Sequence, residues 1–519
     1  MRGWLILPGL ALTLWTASAA PLRPDYGDSI VLAPLYIEYT TVSAQKFAAE
    51  ASELRQRIGE APHVLLGFSS FLALDFDKTP VLSRPIDETI LASTNAGVDT
   101  MVQRAKANGL VTHVGLVSGF FHGWNRLRES AIQEDVRNAQ WFADGWICPP
   151  EDLKSPSQIP QSIWLTPSRR ALPLRARMEE TVRIVSRHLA DSMSRNPETL
   201  VSISGDGEVE LTWERNFGTN VAGHRTNEEA LYTDYSPFAV VEFRDSLRYP
   251  AYAGDLTPNT DDDRNGHTFN RDYGQQFRTW DLKYFANSGP ISFTNYLKLP
   301  DKLPKSGAFL IEGGFDAPRA AKTGSKFWNA WLQFRRQLVA NYVLDFANWV
   351  MTTPGKQTAF KIPAARFYSH QIPADFLFEQ PDNLRLITSA SPVQSAIIGK
   401  TGSAGVTVYN LFDGKRHLRT ATPALFEKIA SQSGNWGILE YNPSVPSGPE
   451  VDPSKDTSYY REQLQLIHKY RPHVIVPFPW SELPDHIHSA IKNKPFEQAL
   501  REFVRDYGAN PWTPWAAAR

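Results

Sequence analysis

Short apolar runs of four to eight residues alternate along this chain with stretches in which apolar positions recur every three or four residues. A short run bounded by turn residues reads as a buried strand, and the longer period as an amphipathic helix. The strand-like runs fall at 31–36, 63–68, 111–117, 200–205, 365–370, 405–410, 436–440 and 474–480. Helical periodicity covers 44–58, 89–108, 175–194, 325–352, 424–431, 459–470 and 496–507, and Pro423 sits where a proline suits a helix start. Strands alternating with helices predict a parallel α/β architecture, and eight of them predict a (β/α)8 barrel of the TIM type. The rival, an open doubly wound sheet, would carry a Gly-x-Gly-x-x-Gly turn after its first strand; none is present.

The rhythm breaks once. Residues 212–324 are rich in Asn, Asp, Gly, Tyr and Pro, so this segment reads as an excursion above the barrel rim after strand four. Tyr235 to Leu247 has some helical character, and counting eight strands assigns the run Ala308–Glu312 to the excursion. Neither a repeat nor a linker divides the rest, so residues 20–519 are expected to form one domain.

Composition narrows the class. The chain has 519 residues and a net charge of -1, which argues against nucleic acid or an anionic membrane as the main partner. Arg2, the apolar stretch Trp4 to Trp15 and the small residues Ala17-Ser18-Ala19 have the order of a secretory signal peptide, predicted over 1–19, with an uncleaved anchor as the alternative. The mature protein is therefore expected outside the cytoplasm: secreted, or periplasmic if bacterial. Cys148 is the only cysteine, so no disulfide forms within the chain and stability must come from a large core.

Two glutamates carry the strongest chemical signal. Glu208 follows the fourth strand and Glu440 ends the seventh. Parallel barrel strands deliver both to the C-terminal rim, where barrel enzymes keep their chemistry. Two facing carboxylates can cleave a glycosidic bond, at about 5–5.5 Å apart with retention or about 6.5–9.5 Å with inversion. Other rim positions carry sugar-compatible groups: His122, Trp124 and Asn125 after strand three, Tyr368 and His370 on strand five, Tyr409 on strand six and Trp480 after strand eight.

In this arrangement the chain resembles the clan A retaining glycoside hydrolases, (β/α)8 barrels with an acid/base Glu after strand four and a nucleophile Glu after strand seven. The resemblance implies that Glu208 is the acid/base and Glu440, in Ile438-Leu-Glu-Tyr441, the nucleophile. It further implies that Tyr409 holds the nucleophile and that Trp480 floors the sugar subsite. The substrate would be a β-linked carbohydrate, with no cofactor. The clan usually places Asn directly before the acid/base, whereas this chain reads Gly205-Asp-Gly-Glu208. Asp206 and Glu210 therefore stand as alternative rim carboxylates, and a catalytically silent glycan-binding barrel stands as the alternative function. A barrel hydrolase of another chemistry has less to recommend it, since the chain holds no Gly-x-Ser-x-Gly elbow or His-Glu-x-x-His.

Within the excursion, Asp261, Asp263, Asn265 and Asp272 have the spacing of a calcium loop, with Gly266 at the sharp turn. A solvated acidic turn is the competing reading. His486 and His488 have metal-ligand spacing but follow strand eight, where a surface pair is the simpler reading.

Overall fold

The computed structural model describes residues 27–74, 91–117, 165–206, 326–351, 362–371, 402–409, 434–443, 456–480 and 493–515, with shorter stretches and single positions between them. Eight strands form a closed barrel in which every neighbouring pair is parallel. They are β1 (Ile30–Leu32), β2 (Val64–Ala73), β3 (Val111–Val117), β4 (Leu200–Gly205), β5 (Phe367–Gln371), β6 (Ser403–Tyr409), β7 (Trp436–Asn442) and β8 (Val474–Pro477). The helices are α1 (Ala44–Ile58), α2 (Leu91–Ala107), α3 (Leu172–Arg195), α4 (Lys326–Met351), α5 (Thr457–Tyr470) and α6 (Lys494–Tyr507). The ring closes without the 308–312 run, which lies outside the described residues, as does nearly all of the excursion. Among the described residues no helix is long and apolar enough to cross a membrane.

Local chemistry explains the helix boundaries. Ser43 starts α1 by accepting a hydrogen bond from the Lys46 amide at 3.1 Å, and Gly59 ends it at a φ of 87°. Phe47, Ala51, Leu54 and Ile58 then form one buried stripe. Asp456 and Asn493 cap α5 and α6 in the same way. The outer strands are shorter than their apolar runs. Pro34 has no N–H to donate and lies past the end of the first, although the Leu35 and Tyr36 amides still donate to the Pro477 and Ser69 carbonyls at 2.8 and 2.9 Å. Pro477 ends β8 three residues before Trp480.

The core has two compartments. One lies between strands and helices; the other fills the lumen with Val31, Ala33, Leu35, Val111, Val201, Tyr368, Leu439, Val474 and Val476. Large and small residues interlock there: a Cβ on Gly405 would lie 2.1 Å from Leu439 Cδ1. The lumen is thus a packed core and not a pore. The ring is fastened at its seam, where the Trp480 amide donates to the Leu35 carbonyl at 2.6 Å. Outside it, Arg57 of α1 pairs with Glu497 of α6 at 2.6 Å, tying the first helix to the last.

Candidate active site

β7 departs from simple alternation at the point where it reaches the rim. Trp436 and Ile438 face the helices, while Gly437 and Leu439 face the lumen. Strict alternation would turn Glu440 outward with Ile438. Instead the register slips: Val406 pairs with Ile438, but Thr407 pairs with Glu440. Leu439 is thus an extra residue, a β-bulge, and the outward position passes to Tyr441, whose hydroxyl meets Gln463 of α5 at 3.3 Å. Bulges re-aim side chains beside functional sites. This one puts Glu440 on the lumen side, next to Thr407, at 4% exposure.

Thr407 itself belongs to a polar layer beneath the rim. Its hydroxyl lies 2.6 Å from His370 Nε2. Across the lumen, His113 is held between the Ser202 and Ser204 hydroxyls at 2.8 and 3.0 Å. Burial, helped by the nearby His370, depresses the His113 ring to a pKa of about 3, so it is neutral at any physiological pH. A neutral imidazole suits its seat, since one nitrogen donates to a serine and the other accepts from one.

β4 ends at Gly205, and Asp206 follows with 1% exposure. The Asp206 carboxylate accepts a hydrogen bond from Tyr342 of α4 at 3.0 Å. This alternative rim carboxylate therefore faces a helix. Glu208, Glu210, His122, Trp124 and Asn125 lie outside the described residues, as do the calcium-loop positions Asp261, Asp263, Asn265 and Asp272. Tyr409 closes β6, its backbone in register with Asn442, two residues beyond Glu440.

Three expected sugar contacts, Trp480, Tyr368 and His370, are buried within the fold. Trp480 is 1% exposed in the layer between strands and helices, its ring 5.9 Å from Phe68 and its Nε1 donating to Glu50 of α1 at 3.1 Å. Tyr368 lies deep in the lumen and donates to Asn435 at 2.9 Å. His370 is committed to the Thr407 layer. The Trp480 Nε1 and the Tyr368 hydroxyl are thus engaged within the fold, and both rings are covered. The bulge, the Thr407–His370 contact and the Tyr342–Asp206 bond had no sequence signal, since each pairs residues distant along the chain.

A shallow cavity of about 450 Å³ lies at the opposite, N-terminal end of the strands, lined by Glu60, Pro62, Leu65 and Val111 among others. Its one carboxylate, Glu60, pairs with Arg55 at 2.7 Å. With mainly apolar walls, it has little to offer for chemistry. Among the described residues no group of three His, Cys, Asp or Glu is placed to hold a metal ion.

No protein-family model matches the sequence, and no curated protein matches it. Solved structures with a similar fold include a β-galactosidase from Rahnella sp. R3, at a TM-score of 0.49 and 11% identity over 95% of this chain and 58% of that one. An exo-carrageenase from Bacteroides ovatus gives 0.46 and 10%, covering 95% and 54%. The catalytic domain of an endo-β-1,4-mannanase from Bacillus sp. JAMB-750 gives 0.39 and 9%, covering 94% and 89%. The chain thus spans little more than half the length of the first two.

Proposed function

We propose that this chain is an exported retaining glycoside hydrolase for a β-linked sugar, with Glu440 as nucleophile and Glu208 as acid/base. The observation that carries the reading is the bulge in β7. It turns a carboxylate inward at the C-terminal rim of a closed, plugged (β/α)8 barrel, the one end where such a barrel does chemistry. Glu208 supports it by position, following the end of β4 by three residues.

In the first step a Glu440 oxygen attacks the anomeric carbon as the glycosidic C–O bond breaks, and Glu208 gives its proton to the departing oxygen. The product is a glycosyl ester on Glu440. Glu208, now a carboxylate, takes a proton from water as that water attacks the same carbon, freeing the sugar and regenerating both groups. Tyr409 is the residue proposed to orient Glu440, and His122, Trp124 and Asn125 to meet the sugar.

Glu440→Gln keeps the shape but removes the nucleophile, so turnover should fall by several orders of magnitude while sugar binding survives. Glu208→Ala should cripple substrates with poor leaving groups and spare activated aryl glycosides, and added azide should rescue it as a glycosyl azide of retained configuration. Unchanged turnover in both variants on a glycoside the wild type cleaves sinks the assignment. Gly207, standing where the clan has Asn, favours the second reading, a silent barrel that binds glycans without cleaving them. Glycan binding with no cleavage across a broad panel would establish that reading instead.

A further inference from the structure

The end of β4 is set against one face of α4. A Cβ on Gly205 would lie 2.5 Å from Phe346 Cε1 and 3.1 Å from Leu116 Cβ, so helix and strand touch with no room for a methyl group. One turn earlier on that face, the Tyr342 hydroxyl donates to Asp206 Oδ2 at 3.0 Å, with both residues at 1% exposure or less. Tyr342, Asp345, Phe346 and Trp349 follow the spacing of a single helical stripe.

Charge continues the stripe. Asp345 accepts two parallel bonds from Arg169, both 2.8 Å, and a third from Arg175. The Arg175 guanidinium lies over the Tyr342 ring at 5.1 Å and the Trp349 ring at 4.6 Å, and so packs against both. The Arg169 amide and the Ser168 hydroxyl each donate to Glu242 Oε2 at 2.7 Å. A continuous chain of direct contacts therefore runs from Glu242, inside the excursion, through Arg169, Asp345, Arg175 and Tyr342 to Asp206. Buried ion pairs of this kind are poor sources of stability, because desolvation offsets most of their attraction; fixing one conformation is the better-attested return.

We propose that Tyr342 is a positioning residue for catalysis: its bond to Asp206 fixes the end of β4, two positions before Glu208 in the chain, and Arg175 with Asp345 holds the Tyr342 ring in place to make that bond. Glu242 is tied to the same stripe through Arg169 and Ser168. The inference rests on the glycosidase reading, and it adds a residue that never touches the sugar. A displacement of about 1 Å at a reacting group costs on the order of 100-fold in rate, which sets the size of the expected effect.

The test is Tyr342→Phe, which keeps the ring and removes only the hydroxyl, assayed beside Glu440→Gln and Glu208→Ala on an alkyl and an activated aryl glycoside. On the alkyl substrate, kcat/KM should fall roughly 10- to 100-fold, with little change on the aryl substrate. Azide should raise kcat on the aryl substrate, as is expected for Glu208→Ala. A merely structural lesion lowers both substrates equally and gives no azide response, which would overturn the proposal. In an Asp206→Ala background the Tyr342→Phe effect should vanish, since the two act through one bond; a full effect there would also overturn it. If both glutamate variants lose activity while Tyr342→Phe matches the wild type, only the Tyr342 role falls. If both glutamate variants keep wild-type turnover, the glycosidase reading falls first.

Discussion

Replacing His113 with Gln should remove a defined part of the protein's sensitivity to acid. In the folded barrel the His113 ring is fully enclosed, bonded to Ser202 and Ser204 and close to His370, and it titrates near 3. In the unfolded chain it titrates near 6.5. Because the folded value is depressed, the stability this residue contributes is present in full above 6.5 and is lost as pH falls from there toward 3. Between pH 7 and pH 5 the unfolded chain gains about 0.7 of a proton that the folded chain refuses. At about 1.4 kcal/mol per pH unit, that costs the folded state about 2 kcal/mol. Glutamine can donate to one serine and accept from the other without titrating. Urea unfolding of both proteins at the two pH values gives the answer, because taking the difference of differences cancels the pH-independent cost of the substitution and the titration of every other group. The wild type should lose about 2 kcal/mol more than the variant. Equal losses in the two proteins would show that the ring is hydrated or charged in the native barrel, and the account of the polar layer would be wrong.

Glu242 should act in the opposite direction. Burial raises its pKa above the usual 4.5, and its Oε1 has no hydrogen-bond partner among the described residues, so the wild type should lose stability relative to Glu242→Gln as pH rises from about 4.5. A relative gain over that window in the same urea assay would contradict the assignment. Trp480→Ala should cost about 3–5 kcal/mol by emptying the space between Phe68 and α1, seen as a lowered Tm, with sugar affinity intact. Lost affinity at unchanged stability would return Trp480 to the rim as a stacking platform. Gly205→Ala should cost about 1–3 kcal/mol in thermal unfolding, because its Cβ forces the Phe346 ring aside, and a variant as stable as the wild type would mean that β4 and α4 are not in tight contact. A crystal structure should find the Glu208 and Glu440 carboxyl groups about 5–5.5 Å apart; a separation beyond about 10 Å would reject them as a reacting pair.

The fold was legible in the chain because it rests on local physics. Eight apolar runs and their intervening helical stripes are set by side-chain alternation and by caps such as Ser43, Asp456 and Asn493, which act within a few residues. Prolines 34 and 477 also mark where strands end, although the apolar runs continue past them. The rim is different, because the direction of a side chain there depends on register with a neighbouring strand. Counting by twos from Val474, Val476 and Phe478 puts Trp480 in the lumen, yet its indole packs outward on Phe68 although its amide still bonds the Leu35 carbonyl. The same count along β7 sends Glu440 outward, and one extra residue opposite β6 brings it back. Tyr342 reaches Asp206 across 136 positions of sequence, a contact that exists only once α4 has docked on the barrel. Local sequence thus determined which residues became strands and helices; only the closed ring, by fixing register, bulge and docked helix, decided which side chains face the rim.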